Sequence, residues 1–294
     1  MSAERKTNME VTYIDHMGTD LSVVNAARVS FGKKTEWEEN PVWGINNETG
    51  EPYWISFGKV SDRDKGLIQF LARGCTSGDW DDLVEKITMK GIQQAYDDFA
   101  LNPVTEDECE KLDHELREIL NQVKNMPTHW TPFGHTAITL HIKAPIFVAR
   151  QLGKHQVGFV WNEVSRRYVD DIPECYEPTY WRPSAESVKQ GSVDTPIGSN
   201  PAQISDYDKH IRSSIELYCD MINDGVCAEQ ARMVLPQSMY TEWYWTGNLY
   251  GFANVFIQRT DSHAQKEVRD VAHQIGDIIK PLFPVSWAAL TGEE

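Results

Sequence analysis

The stretch HTAITLHIK, residues 135–143, alternates apolar and polar side chains from Ile138 to Lys143. Its apolar positions, Ile138, Leu140 and Ile142, fall on one face of an extended chain, as in a half-buried β-strand. Pro145 suits the first turn of a helix, and IFVARQLGKH follows it with helical spacing. The stretch therefore predicts a strand that passes quickly into a helix.

Strand and helix patterns also precede this stretch. EVTYID, residues 10–15, predicts a short strand, and LSVVNAARVSF predicts a helix capped by Asp20. DKGLIQFLAR, residues 64–73, predicts a second helix. Residues 76–126 contain two amphipathic segments in a row, which predict a helical-hairpin insertion.

Helical patterns dominate the last third of the chain. Residues 171–206 are rich in Pro, Ser, Gly and aromatic residues and predict a long surface excursion. Ser205 and Asp208 resemble a capping box for a helix that ends near Gly225. The segments AEQARMVLP, GNLYGFANVFIQR and HAQKEVRDVAHQIGDIIK also have helical spacing. We predict a single α+β domain over residues 1–294, with a small, mostly antiparallel sheet covered by many helices.

The composition excludes several classes of function. A net charge of -16 and a pI near 5.0 oppose binding of a nucleic acid polymer. No segment has the ~18 unbroken apolar residues that cross a membrane, and the N-terminal residues lack a secretory pattern. The cysteines are odd in number and lack CxxC spacing: Cys75, Cys109, Cys175, Cys219 and Cys227. Together, these features predict a cytoplasmic protein without a zinc site or a disulfide framework.

The stretch KHQVGFVWNEVSRRY, residues 154–168, concentrates basic groups in this acidic chain. Arg150 and Lys154 are four residues apart, so helical spacing lets both face one cleft and bind a phosphate. NEVSRRY adds an amide, a carboxylate and a hydroxyl, which suit the edge of a pyrimidine and a ribose. The alternative interpretation is an ordinary solvated basic face, in which Glu163 pairs with Arg166 or Arg167.

The same stretch resembles the signature of flavin-dependent thymidylate synthases. That signature is Arg-His-Arg, a short gap, and then Ser-x-Asn-Glu-x-Ser-x-Arg-Tyr. Here KHQ stands at the start and NEVSRRY at the end, with Phe159 in place of the first serine and one extra residue between the halves. The resemblance extends over most of the chain through DHMGTDLSVVNAARVSFGK, HWTPFGHTAITLHIKAPIFVARQ, ARMVLPQSMYTEWYW and NVFIQRTDSHAQKEVR.

The resemblance implies a methyltransferase reaction, the reductive methylation of dUMP to dTMP. Methylenetetrahydrofolate would donate the carbon, FAD would carry a hydride from NADPH, and the enzyme would be a homotetramer. Arg259 would be catalytic and would polarise the uracil ring. The implied dUMP-binding residues are Arg150, Gln151, Glu163, Ser165, Arg167 and Arg232. The implied FAD-binding residues are His129, Thr131, Lys154, His155, Gln156, Asn248 and Asn254.

Departures from the signature concentrate on the flavin side. Lys154 keeps a positive charge but lacks the bidentate geometry of arginine, and Gln156 has no charge. Tyr250 stands where the family often has an arginine. Two alternatives therefore stay open: a flavin- and folate-dependent dUMP hydroxymethylase, and an inactive nucleotide-binding homologue. Because none of the five cysteines lies in the motif region, we expect chemistry without a cysteine nucleophile, and we assign Ser165 to binding.

Overall fold

The structure, a computed structural model, describes residues 5–45, 52–73, 129–185, 192–198 and 201–293. The predicted α+β class is confirmed, since a small antiparallel sheet and many helices account for these residues. The helical insertion predicted for residues 76–126 lies outside them. They group into two compact units, one built from Met1–Met17 and Ala137–Pro281 and the other from Gly18–Thr136 and Leu282–Glu294. The prediction of a single domain stays a prediction.

The described residues contain eight strands and eight α-helices. The strands are β1 (Arg5–Lys6), β2 (Glu10–Met17), β3 (Glu38–Ile45), β4 (Pro52–Lys59), β5 (Ala137–Pro145), β6 (Phe159–Glu163), β7 (Cys175–Tyr176) and β8 (Tyr240–Gly247). The helices are α1 (Asp20–Arg28), α2 (Asp62–Ala72), α3 (Ile146–Leu152), α4 (Pro201–Asn223), α5 (Ala228–Ala231), α6 (Leu249–Thr260), α7 (Lys266–Ile279) and α8 (Pro284–Thr291). Short 3-10 turns occupy Val29–Phe31, Thr131–His135 and Arg232–Val234.

The first unit is built on an antiparallel sheet with the strand order β2-β5-β8-β6. β5 confirms the predicted alternation, because Ile138, Leu140 and Ile142 are fully buried while the polar residues between them are partly exposed. β8 lies between β5 and β6, and its Trp245 pairs with Leu140 on one side and Trp161 on the other. The sequence analysis did not identify β6 or β8 as strands. β1 and β7 form a separate parallel pair.

Two helices cover this sheet and carry much of the core. α7 buries residues at helical spacing, among them Val268, Val271 and Ile275. At Gly276 it approaches α6 closely, since a side-chain carbon there would lie 2.5 Å from a ring carbon of Phe256. Glycine at this position therefore lets the two helices pack against each other.

Three predicted helix starts differ from the structure. Thr19 rather than Asp20 is the N-cap of α1. Asp20 is buried and accepts hydrogen bonds from the backbone N–H groups of Val285 and Ser286, at 2.9 and 2.8 Å, so its carboxylate caps α8 instead. α4 begins at Pro201, ahead of the predicted capping box, and Pro145 is the residue before α3. A capping residue can be predicted from the local sequence, but the helix that it caps can lie far away in the sequence.

The second unit packs α1, α2 and α8 together, beside the antiparallel hairpin of β3 and β4. An ion pair between Arg28 and the buried Asp64 joins α1 to α2, and Ser61 caps α2 through the backbone N–H of Asp64. Its apolar core consists of Val23, Val24, Ile68, Leu71, Phe283, Trp287 and Leu290. Among the helices of the described residues, none is both long and apolar enough to span a membrane.

Candidate functional site

The signature begins in the turn that connects α3 to β6. α3 ends at Leu152, and the chain then turns through hydrogen bonds from His155 N–H to the Leu152 carbonyl and from Phe159 N–H to the Gln156 carbonyl, at 3.0 and 3.2 Å. Gly158 has a φ of +79°, a left-handed value that favours glycine. Lys154 therefore lies beyond the helix that its spacing from Arg150 had suggested.

A cavity of about 450 Å³ lies beside this turn, and we name it the signature cavity. It brings together five of the residues expected in the site. Arg150 and Lys154 contribute exposed cationic side chains, and Phe159 and Trp161 contribute aromatic ones. The full lining is Ile146, Ala149, Arg150, Gly153, Lys154, His155, Gln156, Phe159, Trp161 and Glu163.

Phe159, which replaces a serine of the family signature, is a packing residue. Its ring stacks on Trp245 and meets Phe252 edge to face, at centroid distances of 4.7 and 4.9 Å. It also lies against Gly247 and Gly251, and a side-chain carbon at Gly251 would be 2.9 Å from the ring. These glycines make room for the phenyl ring, which fixes the start of β6 under the signature cavity.

Glu163 is held by two donors rather than by an arginine. Its Oε1 accepts from the Thr241 hydroxyl at 2.6 Å and its Oε2 from the Trp161 indole at 3.1 Å. Arg166 donates to the carboxylate of Asp171 at 2.8 Å, which leaves Glu163 outside that ion pair. The carboxylate at the end of β6 is thus oriented by its own sheet.

A second cavity, of about 380 Å³, contains Arg259 and is named the arginine cavity. Arg259 lies at the end of α6 and donates through Nε to His155 Nε2 at 2.9 Å. Its Nη2 donates to the backbone carbonyl of Gln151 at 3.0 Å. Since His155 lines the signature cavity, this hydrogen bond joins a residue of one cavity to a residue of the other. The full lining is Gln151, Arg182, Ser192, Arg259, His263, Ala264 and Gln265.

Burial decides the protonation of the contact between His155 and Arg259. Loss of solvent, reinforced by the positive charge of Arg259, lowers the pKa of His155 to about 4. Burial also lowers the pKa of Arg259 from its usual value. His155 is therefore neutral near pH 7, and its Nε2 is free to accept the hydrogen bond from the guanidinium.

A hydrogen-bonded network behind the arginine cavity was missed in the sequence analysis. The side chain of Arg182 donates to both oxygens of Glu267 at 2.7 Å, and Gln265 Nε2 donates to Glu267 at 2.9 Å. Gln151 Nε2 donates in turn to Gln265 Oε1 at 2.7 Å. The block DSHAQKEVR contains Gln265 and Glu267, but Arg182 lies in the loop treated as a surface excursion.

Three expected dUMP residues lie away from both cavities. The hydroxyl of Ser165 accepts from Arg167 Nε at 3.3 Å, and the guanidinium of Arg167 lies 5.0 Å from the ring centre of Tyr168. Arg232 is exposed and donates to the backbone carbonyl of Glu229 at 3.3 Å. Within one chain, the described residues therefore bring Arg150 and Glu163 around the signature cavity and Gln151 and Arg259 around the arginine cavity, without these three.

The expected FAD residues divide between the two units. Asn248 caps α6 by accepting from the Gly251 N–H at 2.8 Å, and Asn254 donates to the Tyr250 carbonyl one helical turn earlier. His129 and Thr131 line a separate cavity of about 560 Å³ in the second unit. The ring of His129 stacks on Phe70 there, with centroids 5.5 Å apart.

The donor set of the signature cavity fits part of a flavin nucleotide. A pyrophosphate requires a cation and N–H donors, which Lys154 provides at the cavity wall. An aromatic ring system requires flat apolar surfaces, which Phe159 and Trp161 provide. The replacement of arginines by Lys154 and Gln156 thus leaves a cationic, aromatic cavity.

Comparison with protein families gives this geometry a context. The model of a family described as thymidylate synthase complementing protein matches residues 59–285. The chain belongs to this family. The resemblance seen in the sequence is thereby confirmed, and the match covers both the signature cavity and the arginine cavity.

Members of the family with similar sequences are named flavin-dependent thymidylate synthases. The protein from Treponema denticola is 32% identical over 97% of this chain and 79% of its own length. The protein from Thermosipho africanus is 38% identical over 55% of this chain and 71% of its own length. A solved structure with a similar fold is a UMP/dUMP methylase from Streptomyces cacaoi bound with 5-Br dUMP, with a TM-score of 0.65, 24% identity, and coverage of 98% of this chain and 97% of that one.

Proposed function

We propose that this protein is a flavin-dependent thymidylate synthase that converts dUMP to dTMP. Methylenetetrahydrofolate donates the carbon, and FAD carries a hydride that comes from NADPH. The observation that carries the proposal is the position of Arg259. In a chain that belongs to this family, its guanidinium is fixed between His155, which lines the signature cavity, and the carbonyl of Gln151, which lines the arginine cavity.

The charges around the cavities suit an anionic nucleotide. The chain as a whole is strongly acidic, but Arg150 and Arg259 contribute positive charges to the two cavities. Arginine binds phosphate through two parallel hydrogen bonds, which also set the orientation of the ligand. We assign the nucleotide to this cationic region, with Gln151 and Glu163 as polar contacts to its base and sugar.

Arg259 acts on the ring by stabilising negative charge. Two of its N–H groups hold it to His155 and Gln151, and the remaining ones are available to a ring carbonyl. Donors aimed at a site of developing charge typically lower the activation barrier by about 2.7–4 kcal/mol each. Because neutral His155 accepts from Nε, the guanidinium is oriented before the substrate arrives.

The flavin-binding residues are assigned from the same reasoning. We propose that Lys154, His155 and Gln156 hold FAD, together with Asn248, Asn254, His129 and Thr131. When bound, the flavin supplies the hydride that completes the methyl group. The protein aligns the ring and excludes water, and Phe159 provides a rigid aromatic surface for this purpose.

Among the described residues, no cysteine lines either cavity. Cys175 is buried in β7, Cys219 is partly buried in α4, and Cys227 is exposed. Ser165 contacts Arg167 and has no histidine or carboxylate within hydrogen-bonding distance in the described part of the chain. These positions support a mechanism in which Arg259 activates the ring without a nucleophilic side chain.

We also propose that the active enzyme is a homotetramer in the cytoplasm. The segment of residues 157–168 exposes apolar side chains. Among them, Val157, Val160 and Tyr168 are 94%, 69% and 78% exposed in the single chain. Exposed apolar groups in one segment are typical of an interface. Ser165 and Arg167 belong to the same segment, so a second protomer is well placed to complete the nucleotide site with them.

Complementation of a thymidine-requiring bacterial strain tests the function. The wild-type gene should restore growth without thymidine, and an Arg259→Ala gene should not. Mass analysis of the product from dUMP, methylenetetrahydrofolate and NADPH then separates dTMP from hydroxymethyl-dUMP. The names of the relatives favour dTMP over both alternatives, so a hydroxymethyl product, or dUMP binding without turnover, would overturn the proposal.

A further inference from the structure

The hydrogen bonds of the network behind the arginine cavity are directed toward one end, because that end is a carboxylate, which can only accept. Glu267 is only 7% exposed and accepts both of its short hydrogen bonds with Arg182. A carboxylate paired with a guanidinium offers acceptors and no donors. The amide of Gln265 must therefore present its NH₂ group to Glu267, as it does at 2.9 Å.

The orientation of the Gln265 amide in turn fixes the orientation of the Gln151 amide. With its NH₂ group on Glu267, Gln265 can offer only its carbonyl oxygen to Gln151, and Gln151 Nε2 donates to that oxygen at 2.7 Å. An amide that donates through nitrogen on one side has its carbonyl oxygen on the other. The Oε1 atom of Gln151 receives no hydrogen bond from any residue that the structure describes, and Gln151 lines the arginine cavity.

The cavity thus offers one oriented acceptor beside the donors of Arg259. Uracil presents an N3–H donor between two carbonyl acceptors, which complements an amide oxygen next to a guanidinium. Cytosine has an unprotonated N3, so in the same pose two acceptors would face each other. An unmatched polar pair in a partly buried site is costly, because neither atom recovers the hydrogen bond it made with water.

We propose that Glu267, acting through Gln265, is a positioning residue that fixes Gln151 as an acceptor and selects uracil nucleotides over cytosine nucleotides. This inference rests on the proposed function, since it places the base of dUMP at Gln151 and Arg259. The ion pair between Arg182 and Glu267 is necessary for it, because the pair keeps the acceptor end of the network fixed. A purely structural ion pair would have no effect on the choice of base.

The test measures the dissociation constants of dUMP and dCMP for the full-length holoenzyme by calorimetry. Glu267→Gln replaces the acceptor-only end with a group that can also donate, so that both amide orientations become possible. Gln265→Leu interrupts the network but leaves the ion pair between Arg182 and Glu267 intact. The matched control is Asp270→Asn, which removes one negative charge from the same helix at a residue paired with Lys266.

We expect the wild-type protein to prefer dUMP, and the ratio of the two constants to fall about tenfold in Glu267→Gln and in Gln265→Leu. Asp270→Asn should keep the wild-type ratio. If Glu267→Gln does not fold, Gln265→Leu decides the result. A wild-type ratio in Gln265→Leu overturns this inference while leaving the proposed function intact. A wild-type holoenzyme that binds neither nucleotide overturns both.

Discussion

The arginine cavity and the segment of residues 157–168 differ in how much of their surroundings a single chain provides. Around Arg259, every side chain that orients the guanidinium or Gln151 comes from the same unit, and the network ends on a buried carboxylate. Along residues 157–168, by contrast, valine and tyrosine side chains are largely exposed. The difference indicates that Arg259, the proposed catalytic residue, is preorganised within one protomer, whereas the exposed segment is where we propose that a second protomer completes the site.

The largest effect is expected at the preorganised side. Arg259→Ala should lower turnover by about 10²- to 10³-fold, because it removes the donor that stabilises charge on the ring. The dissociation constant of dUMP, measured by calorimetry, should change much less. Arg212→Ala, at an exposed position of α4, is the control for loss of a positive charge. Equal turnover in the two variants would show that Arg259 has no catalytic role.

Substitution at the exposed wall should act through assembly. Val160 lies on β6, an edge strand of the sheet, and is 69% exposed in the single chain. Val160→Glu would place a charge in the proposed interface, at a cost of roughly 2–3 kcal/mol if it stays unpaired. Light scattering should then detect species smaller than the tetramer that we propose for the wild type. Leu217→Glu on α4 serves as the comparison, and dissociation by both variants to the same degree would argue against a specific role for β6.

Close packing of α6 and α7 supports the preorganised side and can be tested separately. Gly276→Ala would press a methyl group against Phe256, so we expect a net loss of about 1–2 kcal/mol in the free energy of unfolding. Gly66→Ala in α2 meets no atom within 4 Å and should instead gain about 0.5–1 kcal/mol through helix propensity. Urea denaturation measures both values. Equal changes in the two variants would contradict the close approach.

The smallest expected effect concerns pH. His155 has a pKa of about 4 in the folded protein and near its usual 6.5 when unfolded, so only the unfolded chain takes up the proton between these values. Stability therefore falls as the pH drops from 6.5 to 4, and does not change further from this group below that. After allowance for partial exposure, the loss is on the order of 1–2 kcal/mol. His155→Gln should lack this component in urea denaturation, and a curve parallel to that of the wild type would refute it.

Much of the fold was predictable because its periodicity is local. β5 was found from alternation alone, and α7 from apolar residues at helical spacing. Burial in β8 alternates from Thr241 to Gly247, but β8 was missed because its buried positions include Thr241 and Gly247 and its exposed position is Tyr244, so side-chain polarity does not follow burial. The polarity of the sequence does not identify a central strand whose two faces are both partly covered.

The site was predictable only where it follows a linear motif. Lys154, His155 and Glu163 stand in one segment, and the structure places them around one cavity. Arg182 and Glu267 are 85 residues apart, and neither position has a local pattern that indicates its partner. Their ion pair depends on how the loop before α4 returns to the start of α7.

The class of fold, the family, and the set of residue types available for binding a nucleotide could all be predicted from the sequence. These follow from side-chain periodicity and from motifs read along the chain, which need no knowledge of distant contacts. The folded structure was needed to show that Asp20 caps α8, that neutral His155 holds Arg259, and that Gln151 and Glu267 are joined through Gln265. Hydrogen bonds act over about 3 Å in space, so their partners are fixed by the folded chain and not by the order of residues.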